Sequence, residues 1–188
     1  FDKKNKIGSI QKIHKRKNYI IRKSVNLSHK SQIIASNIDL AILIVTLDSP
    51  ITSLNFIDRF LVQTEAYGIE AKLIFNKIDL HNKDLKKKRE KYQEIYQKIG
   101  YDTMFFSIKQ TKNLSKIKKI LSNKTTVFSG HSGVGKSSII NLIEPSLDLK
   151  TKAISNYHNQ GVHTTTYSEM YSVGFGGYVI DTPGIKGL

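Results

Sequence analysis

Residues 124–142, KTTVFSGHSGVGKSSIINL, combine a short β-prone run, a glycine-rich loop and the start of an apolar helix. This arrangement is typical of a phosphate loop, because glycines let successive backbone N–H groups point at phosphate oxygens while the helix start adds its positive dipole end. In that interpretation the Lys136 ammonium reaches the β- and γ-phosphates, and the Ser137 hydroxyl binds Mg²⁺. The predicted nucleotide-contacting residues of the loop are Gly130, His131, Ser132, Gly133, Val134, Gly135, Lys136, Ser137 and Ser138.

A second motif, Asp181-Thr182-Pro183-Gly184, follows the apolar run Tyr178-Val179-Ile180. An acid at the end of an apolar strand is typical of a Walker B element, so the Asp181 carboxylate is predicted to hold Mg²⁺ and the Gly184 N–H to approach the γ-phosphate. Proline and glycine also favour ordinary turns. The separation from the phosphate loop is typical of GTPases and favours the nucleotide interpretation.

A third motif, Asn76-Lys77-Ile78-Asp79, ends a predicted strand and predicts a preference for guanine. A carboxylate such as that of Asp79 accepts both the N1–H and the exocyclic N2–H of guanine, whereas adenine offers no such pair of donors. The Lys77 stem is expected to lie over the base, and Asn76 is expected to brace the loop. The strand-end position supports this prediction, since ligands of open α/β sheets bind at those ends.

A fourth candidate is Ser107, at the end of a later predicted strand. It is expected to support the same base-binding loop. The usual companion sequence is Ser-Ala-Lys, whereas this chain has Ser107-Ile108-Lys109.

The polar stretch 161–166, GVHTTT, lies between the phosphate loop and Asp181. A threonine here is predicted to complete the Mg²⁺ shell when GTP is bound, and Thr165 is favoured over Thr164. Ile185 stands where Ras-like enzymes use Gln to orient water, so slow hydrolysis by the free protein is expected. His163 is the nearest residue that could orient water instead; an exposed loop histidine is the alternative.

The order of the motifs decides the type of fold. In a Ras-like GTPase the Asn-Lys-x-Asp element follows the other two motifs, but here it precedes them. The chain therefore reads as an α/β, circularly permuted Ras-like P-loop GTPase domain with strands and helices in alternation. Strands are predicted at 40–47, 71–76, 102–107, 124–129, 166–173 and 177–181, and helices at 53–67, 84–99, 112–122 and from Lys136.

The positive charge of the chain is concentrated near its start. The formal net charge is +15, and the first thirty residues carry ten Lys and Arg against the single acid Asp2. Such clustering favours a nucleic-acid backbone as partner, although a solvated basic surface is the alternative. Loose alternation in residues 1–25 predicts two or three short strands, and residues 26–36 are predicted to be a connector.

Composition excludes several other classes. The chain has no cysteine, which removes disulfide frameworks and thiolate metal sites and fits a reducing cytoplasm. The longest apolar run, Leu40 to Val45, is too short to span a bilayer, so no membrane association is expected. The start of the chain resembles no signal peptide.

Taken together, the permuted order, the GHSGVGKSS loop, the GVHTTT loop and the basic β-like start resemble the ribosome small-subunit-dependent GTPase A family. The resemblance implies a cytoplasmic, monomeric GTPase that uses GTP/GDP and Mg²⁺. It implies the small ribosomal subunit and its 16S rRNA as partner, with the subunit stimulating hydrolysis late in its own assembly. Members also carry an N-terminal OB-fold and a C-terminal zinc domain. We expect residues 1–35 to be a partial OB-fold-like segment with connector, residues 36–188 to be the GTPase domain, and the Zn²⁺ ligands to be missing.

Three alternatives remain open from the residues. A permuted GTPase of large-subunit assembly typically has Asn-Val-Gly-Lys-Ser in the loop, and Gly133 argues against it. A nucleotide-gated RNA-binding module with little catalysis is compatible with Ile185. An ATP-dependent P-loop enzyme would be indifferent to the replacement of Asp79.

Overall fold

The computed structural model describes residues 8, 10–23, 31–149 and 168–182. Two sheets are present in this part of the chain. A two-stranded antiparallel ribbon joins β1 (Tyr19–Lys23) to β2 (Ser31–Ser36). A six-stranded sheet contains β3 (Leu40–Val45), β4 (Glu70–Phe75), β5 (Asp102–Phe105), β6 (Lys124–Ser129), β7 (Glu169–Ser172) and β8 (Gly177–Asp181).

The large sheet has the order β5-β4-β3-β6-β8-β7, with every neighbouring pair parallel except β7–β8. The α-helices in the described residues are α1 (Leu54–Ala66), α2 (Lys83–Lys98), α3 (Leu114–Leu121) and α4 (Lys136–Ile143). Parallel neighbours bring the carboxyl ends of β3, β4, β6 and β8 to one edge. That edge carries the phosphate loop, the Asn76-Lys77-Ile78-Asp79 loop and Asp181.

Strand β3 shows why the sheet is buried on both faces. Its six residues are all buried, and alternation sends them to two separate cores. Ala41, Leu43 and Val45 join the core under α1 and α2, whereas Leu40, Ile42 and Ile44 join the core under α3 and α4. A continuous apolar run therefore supplies both cores, as expected for a central parallel strand.

The ribbon is attached to the end of α1 that lies far from the motif edge. The Asn18 side chain donates to the Ile38 carbonyl oxygen at 2.8 Å and accepts from the Ile38 N–H at 2.7 Å. Gln63 of α1 donates to the Ile21 carbonyl oxygen at 2.8 Å, and the rings of Tyr19 and Tyr67 lie 4.6 Å apart. The N-terminal strand is thus fixed to the large domain by buried polar and aromatic contacts.

The predicted α/β class and the strand and helix order of the large sheet match the structure to within a few residues at each end. One prediction is wrong: residues 31–36, assigned to a connector, form β2 and pair with β1. Backbone pairing with β1 outweighs the loop tendency of the polar residues at the ends of this stretch. The OB-fold-like assignment of residues 1–35 stays a prediction, since the described part shows two strands and no barrel.

Among the helices of the described ranges, none is both long and apolar enough to cross a lipid bilayer.

Candidate nucleotide-binding site

The glycine-rich loop lies between β6 and α4 and packs tightly against neighbouring backbone. A Cβ at Gly130 would come 2.7 Å from the Ile44 carbonyl oxygen, and one at Gly135 would come 2.5 Å from the Asn76 amide nitrogen. Both glycines also have positive φ, at 142° and 97°. The loop is therefore a close-fitting backbone cradle at the start of a helix, the geometry that binds phosphate groups.

Lys136 is buried at the base of this cradle. Its side chain is 7% exposed, and its Nζ donates to the carbonyl oxygens of Gly130 and His131 at 3.1 Å each. Burial lowers the pKa of the Lys136 ammonium to about 8, and the nearby Asp181 carboxylate offsets part of that effect. A buried ammonium that donates to two loop carbonyl oxygens fits a site built to receive phosphate oxygens.

This burial predicts a pH dependence of stability. The ordinary Lys pKa is about 10.4, so between pH 8 and 10 the unfolded chain binds more protons than the folded chain, and the free energy of unfolding rises with pH. With chelator and without nucleotide, the free energy of unfolding of the wild type should rise by about 2 kcal/mol relative to that of Lys136→Met between pH 8 and pH 10. Urea unfolding of both proteins across this range measures the difference. Parallel curves would show that the ammonium is not desolvated.

The part of the site that the sequence predicts to hold Mg²⁺ joins α4 to the end of β8. Ser137 Oγ donates to Asp181 Oδ2 at 3.1 Å, and the Asp181 side chain is buried. Thr182 Oγ1 donates to the Phe128 carbonyl oxygen at 2.7 Å, which fixes the chain just beyond Asp181. A hydroxyl beside a carboxylate is a hard-oxygen donor set, and it fits Mg²⁺ that also keeps water and phosphate ligands. The described residues hold no cluster of three or more His, Cys, Asp or Glu side chains.

The Asn76-Lys77-Ile78-Asp79 loop is tied directly to the phosphate loop. The buried Asn76 side chain donates to the Val134 carbonyl oxygen at 2.8 Å. The backbone N–H of Asn76 donates to the Val45 carbonyl oxygen, also at 2.8 Å. Lys77 has a φ of 59°, and its Nζ donates to the Ser49 carbonyl oxygen at 2.6 Å. Burial lowers the pKa of Lys77. Asn76 therefore braces both loops in one framework.

Asp79 and Ser107 meet, as the sequence predicted. Ser107 is fully buried, and its Oγ donates to Asp79 Oδ1 at 2.6 Å. The Lys109 N–H donates to Ser107 Oγ at 3.1 Å, and Lys109 Nζ lies 3.4 Å from Asp79 Oδ2. The Ser107 hydrogen bond, aided by Lys109, lowers the pKa of Asp79. The carboxylate is thus oriented and held in its ionised, hydrogen-bond-accepting form. The Ile78 N–H donates to the carbonyl oxygen of Phe106, which directly follows β5.

One wall of the site was not identified from the sequence. The segment between β3 and α1 contains Ser49, whose carbonyl oxygen accepts from Lys77 Nζ. In α1, the centroid of the Phe56 ring lies 4.0 Å from that of the His131 ring. Phe56 belongs to the buried stripe of α1, so the sequence pattern indicates only a core residue. Its position in the first turn of a helix that starts at the motif edge is the signal that could have marked it.

Several predicted site residues lie outside the described residues, and their roles stay predictions. These residues are His163, Thr164, Thr165, Thr166, Pro183, Gly184 and Ile185. The phosphate-loop, base-loop and Ser107 positions, together with Asp181, lie within the described part and are brought to one edge of the sheet.

Comparison with known proteins gives consistent matches. The family described as RsgA GTPase matches residues 13–188. A relative from Flavobacterium psychrophilum, named small ribosomal subunit biogenesis GTPase RsgA, is 56% identical over 96% of this chain. One of the same name from Christiangramia forsetii is 52% identical over 97% of the chain. The chain spans 56% and 58% of these relatives' lengths, respectively.

Two solved structures share the fold. YjeQ from Thermotoga maritima superimposes with a TM-score of 0.71 at 34% identity, over 93% of this chain and 54% of that protein. YloQ, described as a circularly permuted GTPase, superimposes with a TM-score of 0.65 at 32% identity, over 94% of this chain and 52% of that protein.

Proposed function

Because the chain belongs to the RsgA GTPase family, we propose that it binds GTP and GDP with Mg²⁺, hydrolyses GTP, and acts in the cytoplasm in late assembly of the small ribosomal subunit. The observation that carries this proposal is the 2.8 Å hydrogen bond from Asn76 to the Val134 carbonyl oxygen, which joins a guanine-type loop to a phosphate loop in one site. In an ATP-dependent enzyme, a guanine-type loop joined to the phosphate loop would not contribute to base recognition.

The loop and Lys136 stabilise the transferring phosphoryl group in this proposal. Backbone N–H groups of the 130–137 loop are proposed to donate to the phosphates, and the Lys136 ammonium to exchange its carbonyl partners for phosphate oxygens. Both sets of donors are fixed in position before reaction, so charge that develops in the transition state is stabilised without reorganisation. The helix start at Lys136 adds its positive dipole end.

Ser137 and Asp181 are the described residues proposed to hold Mg²⁺, with Thr165 as a further ligand in the GTP state. When bound, the ion supplies charge neutralisation at the β- and γ-phosphate oxygens. Ser137 already donates to Asp181 in this structure, so the two oxygens sit within reach of one small cation. Gly184 is proposed to contact the γ-phosphate through its N–H.

Guanine specificity is assigned to Asp79, with Ser107 holding the carboxylate in place. Two acceptor oxygens match the N1–H and N2–H donors of guanine. A base without that pair would leave a carboxylate oxygen without its partner, which costs binding free energy.

Activation by a partner is proposed because Ile185 cannot orient water, and His163 is proposed to do so once the partner has bound. The partner is the small subunit with its 16S rRNA, and the chain is proposed to be a monomer. Exposed cations Lys12, Lys15, Arg16 and Lys17 lie in the described N-terminal segment and suit a phosphate backbone.

The test is multiple-turnover hydrolysis of GTP and ATP, with and without purified small subunits, at low and high salt. We expect GTP to be hydrolysed and ATP not. Small subunits should strongly stimulate GTP hydrolysis, and high salt should abolish this stimulation because it screens the contacts with RNA phosphates. Tight GTP binding with equal turnover in the presence and absence of subunits, in a protein of the relatives' full length, would instead favour a nucleotide-gated RNA-binding module, the second candidate that Ile185 supports.

A further inference from the structure

The ring contact between α1 and the phosphate loop has no role in the proposed chemistry. The centroids of the Phe56 and His131 rings lie 4.0 Å apart, with the ring planes at 34°. Phe56 is 7% exposed, so its ring is buried where it meets the His131 ring. Aromatic rings in contact contribute to stability beyond the apolar area they bury.

Phe56 is itself held firmly. Ser53 caps α1 by accepting from the Phe56 N–H at 3.3 Å, which fixes the first turn of the helix. The following residues of the stripe, Ile57 and Phe60, are fully buried in the core under α1. The ring that meets His131 therefore projects from a rigid element rather than from a loop.

The two halves of the phosphate loop are anchored differently. The second half is fixed by the buried Val134 side chain and by the Asn76 hydrogen bond to the Val134 carbonyl oxygen. In the first half, Lys136 Nζ donates to the carbonyl oxygens of Gly130 and His131. When Lys136 turns to phosphate oxygens, those two bonds are given up, whereas the Phe56 ring contact does not depend on them.

We propose that Phe56 is a positioning residue for nucleotide binding, which acts through His131 to hold the first half of the phosphate loop in its phosphate-accepting shape. The inference rests on the guanine-nucleotide binding proposed above. Removal of the ring leaves the base loop intact, since Asn76 and Asp79 have other partners. Loss of the Phe56 ring should therefore lower the affinity for every guanine nucleotide that carries phosphate, without changing the preference for guanine.

The experiment compares Phe56→Leu with Phe60→Leu in the full 188-residue chain. Phe60 lies one turn further along α1 and is fully buried, so it is a matched control for loss of a core ring without contact to the loop. Binding of mant-GDP and mant-IDP is followed by mant fluorescence, which has no tryptophan background because the chain has no Trp. Urea unfolding of each variant is measured in parallel.

We expect Phe56→Leu to weaken the binding of mant-GDP about three- to tenfold and to leave the ratio of the mant-GDP and mant-IDP affinities unchanged. Phe60→Leu should keep an affinity near that of the wild type, although its free energy of unfolding falls by as much as that of Phe56→Leu or more. His131→Gln should reproduce the effect, and the double variant should add little to either single change. Equal weakening by Phe56→Leu and Phe60→Leu, or wild-type affinity in Phe56→Leu, would overturn the inference alone. Failure of the wild type to bind mant-GDP would overturn the proposed function with it.

Discussion

Lys136→Ala is expected to lower kcat/KM for GTP hydrolysis by about 10²–10³-fold, the usual cost of removing one preorganised donor to a transition-state charge. The ammonium is buried at the base of the loop and within hydrogen-bond reach of two loop carbonyl oxygens. No other described side chain has its Nζ in that cradle. Steady-state phosphate release with saturating subunits measures the change.

The control for Lys136→Ala is Lys116→Ala, which removes the same charge from an exposed position of α3. It should leave kcat/KM unchanged. Lys136→Ala should also fold at least as well as the wild type, since it removes a desolvated ammonium. Turnover of Lys136→Ala within threefold of wild type would contradict the assigned role of the lysine.

Asp79→Asn is expected to weaken GDP binding by about 10³-fold and to create binding of xanthosine diphosphate. An Asn side chain presents one acceptor and one donor, which match the N1–H and the C2 carbonyl of xanthine rather than the two donors of guanine. Ser107 can still donate to the remaining oxygen, so the loop should keep its shape. Competition of GDP and xanthosine diphosphate against mant-GDP or mant-XDP measures the exchange of preference.

Asp84→Asn serves as the matched control for Asp79→Asn, because Asp84 is exposed in the first turn of α2. It should retain guanine preference and full affinity. If Asp79→Asn bound GDP as the wild type does, Asp79 would not contact the base, and the guanine assignment would be lost.

The sequence predicts the elements of the sheet because their signals are local. β3 is a continuous apolar run, and β6 leads directly into the glycine-rich loop, so both strands are found with little error. β2 was missed because its pairing partner β1 lies in a separate stretch of sequence, and the polar ends of Ser31–Ser36 give no alternating pattern. Pairing across strands is decided by tertiary contacts rather than by local preference.

The site shows the same division between local and distant information. The residue types needed for phosphate, Mg²⁺ and guanine stand out in the sequence, and the shared strand-end edge brings them together. Which atoms join the loops does not follow from the sequence. The bond from Asn76 to the Val134 carbonyl oxygen and the ring contact of Phe56 depend on how closely the backbones approach, which the glycine positions 130 and 135 permit.

The order of strands has a consequence for how the protein is made. Among the strands of the large sheet, synthesis delivers β3, β4 and β5 first, and β6, the second neighbour of β3, begins only at Lys124. At about 5–20 residues per second, one edge of the most apolar strand stays unpaired for roughly 4–16 s, an interval in which nascent chains are prone to misassociate. The base-recognising half emerges before the phosphate-binding half, so nucleotide cannot stabilise the nascent chain through the whole site until β8 has left the exit tunnel.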